Sequence, residues 1–522
     1  MRFRLVKLCV LTLCAALGVV SFFHTRAGRA QKGAPSGGVP PVVPKTWDDK
    51  EILTLELPIA GLPKKQVHIS ADYYYRIPEM KIYKTYPIYA PGREPHGYIA
   101  DLRHREPEVA FDPSALKTEE DWVKAGELVF NAPVFFDSLN HLSDVRSRKW
   151  YEESGVPVAS DGTMPYNVYV IRQKGQIEVG EFSCATCHTR VLPDGTVVRG
   201  AQGNYPLGKL DLMDVQKYLG KGEEREKAFM DRARGGFMLG YHSPWVKPDT
   251  LAQFDALTVQ QFAEINSRLP PGVQTRPGVS LFVPVQVPDL IGVKDRRYLD
   301  RTGLQLHRSI VDLMRYAALN QGISYLTDYG GYIPRAVAEG GGKLPDPSTL
   351  TRYSDAQLYA LAKYIYSLKP PPNPNKFDAT AARGQKIFRR EGCADCHTPP
   401  LYTSNKLTPV KGFQIPPEHL KKYDIIPRTV GTDPALALLT RRATGYYKVP
   451  SLRGVWYRGP FEHMGSVMTL EDWFDPRRLR DDYVPTGFRG FGVETRAVKG
   501  HAFGLDLSED DRKALIAFLR TL

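Results

Sequence analysis

Cysteine is scarce in this chain, and none is left over for a structural disulfide. Six cysteines occur among 522 residues; Cys9 and Cys14 lie in an apolar leader, and the other four form two close pairs. A disulfide-stapled scaffold is therefore excluded. Long hydrophobic runs are missing too. The main apolar run, residues 8–23, holds sixteen residues, short of the roughly twenty that a membrane span requires. No basic stripe with interleaved aromatics is present, which argues against nucleic-acid binding. Charge of one sign is not strongly in excess either. Lys and Arg number 70 against 57 Asp and Glu, and five of the thirteen surplus positive charges sit in the leader at Arg2, Arg4, Lys7, Arg26 and Arg29, leaving eight.

Glycine (45) and proline (42) are plentiful instead, in a chain too long for one ordinary core, so two or more loop-rich domains are expected. Residues 1–30 read as an export signal, with a positive start, the apolar run, and Gly28 and Ala30 as small residues for cleavage. The mature chain would then be periplasmic or secreted, and a membrane is involved only if the leader is retained as an anchor. Residues 31–115 read as a linker and then an extended strap, whose Tyr73, Tyr74, Tyr75, Tyr83, Tyr86 and Tyr89 suit packing against a globular body.

Helical signals begin with a capping pattern at Thr118, followed by Gly126 and Phe130 at helical spacing. The same Gly-x-x-x-Phe recurs at Gly384 and Phe388, a small residue that lets another helix approach closely. Two further helices open on Ser354 and Ser508, the first stopped by Pro370, Pro371, Pro372 and Pro374. The chain therefore divides into 116–372 and 373–522, with an insertion at roughly 200–350 enlarging the first part.

Between each opening and closing helix stands Cys-x-x-Cys-His: Cys184, Cys187 and His188, then Cys393, Cys396 and His397. Cys-x-x-Cys alone would also read as half a zinc site or a thiol redox pair. The immediate histidine in both copies, with no strand–helix–strand alternation around them, reads as two c-type haem attachment sites. Two covalently bound haem c groups are expected, with His188 and His397 as proximal iron ligands. Covalent attachment of haem agrees with export.

What covers the other face of each iron decides the chemistry, because a closed haem moves electrons and an open one binds peroxide or O₂. At the second haem, His501, flanked by Gly500 and Gly504, is one candidate ligand, and Met464 or Met468 is the alternative. At the first, a helix expected over 302–316 offers His307 and Met314 on one face; that helix either covers the iron or simply packs through Leu304, Ile310 and Met314.

The stretches Lys448-Val-Pro-Ser-Leu-Arg-Gly-Val455, Gly459-Pro-Phe-Glu-His-Met-Gly-Ser466 and Thr469-Leu-Glu-Asp472 closely resemble the C-terminal signature of bacterial dihaem cytochrome c peroxidases and of the related enzyme that matures methylamine dehydrogenase. The resemblance covers 376–522. Residues 287–291 and 297–300 look like the segment that in those enzymes carries a tryptophan between the haems, but Leu299 stands in that place with Tyr298 beside it. Length and motif spacing are more similar to the dihaem rubber oxygenases. That likeness implies an N-terminal haem that binds O₂, with Met314 near its distal side, and a C-terminal haem with two histidine ligands, the second at His501.

The resulting expectation is a mainly α, loop-rich protein of two cytochrome c-like haem domains with an N-terminal extended strap. It would be an exported dihaem oxidoreductase whose first haem reacts with peroxide or O₂ and whose second relays electrons, with a small redox donor or acceptor protein and peroxide, O₂ or an organic substrate as its partners. The alternative is a purely electron-transfer cytochrome with both irons six-coordinate. The remaining positive charge suits docking of an acidic redox protein or simply a basic solvated surface.

Overall fold

The computed structural model describes residues 42–276, 278 and 280–522. The export signal expected at 1–30 and the start of the linker lie outside them. Residues from 42 onward belong to one compact unit. Among the described residues no helix is long and apolar enough to cross a membrane.

Two helix pairs frame the two Cys-x-x-Cys-His turns. Glu119–Asn131 packs on Asp355–Ser367, and Ala379–Arg390 packs on Glu509–Arg520. Local chemistry starts all four: Thr118 and Ser354 form capping boxes with Asp121 and Gln357, and Asp378 and Ser508 each accept from a first-turn amide. One glycine sits at each crossing. A Cβ on Gly126 would stand 2.0 Å from the Ala360 carbonyl oxygen, and one on Gly384 would stand 1.9 Å from that of Ala514. The repeated Gly-x-x-x-Phe is thus a repeated backbone-to-backbone contact that no other residue would permit.

Each pair anchors its own core. The first gathers Trp122, Phe130, Leu313, Met314, Leu358 and Leu361. The second gathers Phe388, Val455, Leu470, Leu515, Phe518 and Leu519.

The strap is more structured than an extended segment. It carries the short helices Asp49–Leu53, Ala71–Arg76 and Tyr98–His104. Its tyrosines pack: Tyr74 stacks on Trp47 at 4.6 Å, Tyr73 donates to the Pro345 carbonyl at 2.6 Å, and Tyr75 reaches Asp355. The strap also supplies strand β1 (Thr85–Tyr89) to an antiparallel sheet with β2 (Phe135–Phe136), β3 (Thr163–Val170) and β4 (Glu178–Glu181), ordered β1-β3-β4-β2. The β1–β3 register slips between Pro87 and Ile88, where proline has no amide to give the ladder. The fold is therefore mixed, helices with small sheets, rather than mainly α.

The helix expected over 302–316 is displaced. It spans Ile310–Asn320, while Gln305–Leu306 is a strand paired with Tyr298–Leu299. The strap causes this. Leu57 N donates to Leu304 O at 2.7 Å and Leu306 N donates to Leu55 O at 2.9 Å, so the backbone groups a helix would use are already taken.

Candidate metal centres

The second Cys-x-x-Cys-His follows the Ala379–Arg390 helix through Gly392, whose φ of 70° turns the chain into the single helical turn Cys393–Cys396. His397 Nδ1 donates to the Pro450 carbonyl at 3.1 Å, with Tyr402 O at 3.2 Å. This fixes the tautomer and leaves the Nε2 lone pair for a metal.

Opposite stands His501. The two ring centres are 6.1 Å apart. Two imidazoles bound to one metal at about 2.0–2.1 Å each place their ring centres roughly 6.3 Å apart. The loop holding His501 is pinned by Arg478, which donates to the carbonyls of Trp473, Val498, Gly500 and His501 at 2.6–3.0 Å. Trp473 packs on the His501 ring at 5.4 Å.

The cavity at this site measures about 250 Å³ and is walled by Phe388, Leu452, Leu470, Trp473, Leu515 and Leu519 around both thiols and both imidazoles. His501 Nδ1 is buried without a hydrogen-bond partner, and neither thiol is in a disulfide. Burial pushes His397 down to about 4 and His501 down to about 3, so both rings are neutral donors at neutral pH. Burial raises the Cys393 thiol to about 11. An apolar box with two thiols on one wall and paired neutral imidazoles fits a covalently attached haem. Neither methionine alternative lines the cavity. Met464 is core, beside Val273, Leu436 and Phe488, and Met468 is exposed.

The first Cys-x-x-Cys-His is the turn Cys184–Cys187, capped by Ser183. His188 Nδ1 donates to the Pro288 carbonyl at 2.9 Å, again leaving Nε2 for a metal. Burial, with the Arg276 charge adding to it, pushes His188 down to about 3. Burial raises Cys184 to about 12 and raises Cys187 as well.

Of the two residues expected on the far side of this centre, His307 is engaged elsewhere, and Met314 shares a core with Cys184 and Ala185 of the motif. His307 precedes the helix, and its Nδ1 and Nε2 each lie 2.7 Å from a partner, Arg296 O and Tyr366 Oη. Met314 is fully buried in the core. The residue that caps its helix reaches the centre as well: Gln321 Nε2 lies 3.8 Å from Cys184 Sγ.

On the same helix, Tyr316 and Asn320 join Arg276, Asp300 and Arg442 in a buried network. Arg442 donates to Asp300 at 2.7 Å and to Asn320 at 2.8 Å, Tyr316 donates to Asp300 at 3.3 Å, and Arg276 reaches Tyr316 and Asn320. Burial opposes ionisation of Asp300, but the Arg442 and Arg276 guanidiniums outweigh it and hold the carboxyl well below the usual range. Two guanidiniums share one carboxylate, so a positive charge is left over near His188 and Cys187.

Over 190 residues the chain is 27% identical to the cytochrome-c peroxidase IdrP1 of Pseudomonas sp. (strain SCT), covering 33% of this chain and 46% of that protein. The chain thus spans under half the length of the curated relative it matches. No family model matches the chain. Among solved structures, a hydrazine synthase chain of Kuenenia stuttgartiensis overlays with a TM-score of 0.27 at 16% identity, covering 60% of this chain and 92% of that one. A MauG-like protein associated with microbial copper homeostasis gives 0.20 at 20% identity, covering 36% and 60%.

One signal in the sequence would have located the imidazole-orienting carbonyls. Val287-Pro288-Asp289-Leu290-Ile291-Gly292-Val293 returns as Val449-Pro450-Ser451-Leu452-Arg453-Gly454-Val455, and an arginine closes each copy at Arg296 and Arg458. The copies fold alike. Gly292 has φ 72° and Gly454 φ 73°, each opening a short 3-10 turn, and each proline carbonyl receives one proximal Nδ1–H.

Proposed function

We propose that the chain is a dihaem c-type redox enzyme of the peroxidase type, related to the dihaem cytochrome c peroxidases. Its first centre reacts with peroxide or O₂ and its second relays single electrons from a small redox protein outside the cytoplasm. The observation that carries this reading is the asymmetry of the two centres. His397 faces a second imidazole at 6.1 Å, whereas at the first centre His307, the histidine expected opposite His188, has both nitrogens occupied.

Haem supplies redox-active iron and, where one axial position is left free, reactivity toward peroxide or O₂. The protein's own groups do the rest. Pro288 O and Pro450 O fix the tautomers of His188 and His397. Arg478 holds the His501 loop in place. The surplus guanidinium charge of the Arg276–Arg442 pair favours negative charge developing near the first centre. Tyr316 carries a proton at Oη within hydrogen-bond reach of Arg276 and Asp300.

Electron paramagnetic resonance of the full-length dihaem protein tests the reading. One low-spin centre and one high-spin centre that binds CO or cyanide are expected. Two low-spin centres that stay closed to ligands after half-reduction would overturn it.

A further inference from the structure

We propose that Arg458 couples the two centres through their proximal sides, joining the loop that orients His188 to the loop that orients His397. The inference rests on the dihaem reading above. The repeated segments do not merely resemble each other; they touch. Arg458 Nη2 donates to Ser451 O at 2.7 Å, one peptide beyond the Pro450 carbonyl that receives the His397 Nδ1–H. Its Nε lies 3.9 Å from Asp289 Oδ2, and Asp289 follows Pro288, whose carbonyl receives the His188 Nδ1–H. Tyr457 fixes the carboxylate by donating to the same Oδ2 at 2.9 Å.

The repeat supplies an internal comparison. Arg296 occupies the position of Arg458 in the first copy, and its guanidinium donates within its own copy, to the carbonyls of Asp289 and Ile291. The first copy carries aspartate where the second carries serine, and that aspartate gives Arg458 a partner across the boundary. A small cavity of about 30 Å³ lies at the junction, lined by Pro288, Asp289, Arg296, Pro450, Ser451 and Arg458.

The Asp289 side chain is 3% exposed and that of Arg458 13%, so their interaction is little screened by water. The partner of a ligating imidazole's second nitrogen tunes the metal it serves, and Arg458 faces Asp289 as an ion pair at 3.9 Å rather than through a hydrogen bond, its Nε being buried without a hydrogen-bond partner. A charge change at one centre is therefore transmitted to the partner of the other. In the transfer this bridge serves, one electron leaves the second centre and arrives at the first; no bond breaks and no proton crosses.

The test is a redox titration of the full-length protein carrying two haems, comparing wild type with Arg458→Met, Asp289→Asn and the double variant. Arg453→Met, exposed on the same copy, is the control. Couplings between sites are typically about 5–150-fold. Loss of the bridge is expected to change the separation of the two midpoint potentials by the equivalent of about tenfold, 59 mV for a one-electron couple. The two single variants should shift it alike, the double variant should add nothing further, and Arg453→Met should leave it unchanged. Asp289→Asn, which keeps the shape of the site, guards against a folding defect in Arg458→Met. Unchanged midpoint separation in either bridge variant, or additive shifts in the double variant, would overturn the proposal. Two closed low-spin centres in the wild type would instead overturn the reaction assigned to the first centre and leave the coupling to be judged by the potentials.

Discussion

Replacing Gly384 by alanine should force the Ala379–Arg390 and Glu509–Arg520 helices apart and loosen the second centre. A Cβ there would stand 1.9 Å from the Ala514 carbonyl oxygen and 2.8 Å from Phe518 Cβ, whereas ordinary contact begins at 3.4 Å. The main obstacle is backbone, so a rotamer change brings no relief. The helix axes must separate by about 1.5 Å, more than a close-packed interior absorbs without loss. Overpacking of this kind costs roughly 1–3 kcal/mol, and the gain of about 1 kcal/mol from removing a helical glycine offsets only part of it. Gly235 is the control. It lies inside the Glu223–Gly240 helix with nothing within 4 Å of its added Cβ, so Gly235→Ala should stabilise by up to about 1 kcal/mol. One chemical change should thus move stability in opposite directions at two helical sites. Urea unfolding of the haem-loaded protein measures it, read as a shift in midpoint at constant slope. The haem absorption band should broaden in Gly384→Ala alone. Equal or greater stability of Gly384→Ala would refute the helix contact on which the second centre is built.

Other outcomes follow from the same geometry. His501→Ala should turn the second centre from low to high spin and open it to CO, while Met464→Leu and Met468→Leu leave its spectrum as it was; a low-spin His501→Ala protein would remove this residue as a ligand. Arg478→Lys should give a mixed-spin second centre, because an ammonium cannot reach the four carbonyls the guanidinium now serves, and a wild-type spectrum would show that the loop holds itself. Glu462 is buried, which opposes its ionisation, but His463, Ser466 and Arg496 outweigh burial and lower it from 4.5 to about 2. Its folded value is depressed, so the stability it contributes is present above pH 4.5 and is lost as pH falls toward 2. Glu462→Gln should flatten acid unfolding in that window, and an unaltered acid-unfolding curve would contradict the assignment.

Much of the scaffold was readable because its causes are local. Thr118, Ser354 and Ser508 announce their helices within a few residues, and Gly126 and Gly384 announce a close crossing. What escaped reading depends on partners far along the chain. His307 shared a helical period with Met314, yet the strap, some 250 residues upstream, takes Leu304 and Leu306 into a ladder and ends the helix pattern. The four-stranded sheet was invisible for the same reason, since β1 lies in the strap and β3 beyond residue 160. At the first centre the expected helix begins only at Ile310 and still carries Met314. Met314 is apolar and is drawn into the core, so the polar residues Tyr316 and Asn320 are the ones in the charged network. The Val-Pro-x-Leu-x-Gly-Val repeat was present throughout, but its copies stand 162 residues apart and carry different residues at the variable positions.

That repeat also bears on why two centres with nearly the same proximal construction would do different work. Each takes its imidazole from the same turn and orients it with the same proline carbonyl, so this side gives little to tell the two motifs apart. The differences lie in what faces the imidazole. At the second centre a loop only a few residues ahead of the closing helix brings in His501, and Arg478 fixes it there. At the first, the chain between motif and closing helix is longer, and it delivers Arg276, Asp300, Tyr316 and Asn320 as a network that is already satisfied internally and offers no imidazole. A shared proximal side is also where a link between the centres can be built without disturbing either far side. Asp289 and Arg458 stand there, at positions where the two copies of the repeat differ from each other or reach across to each other.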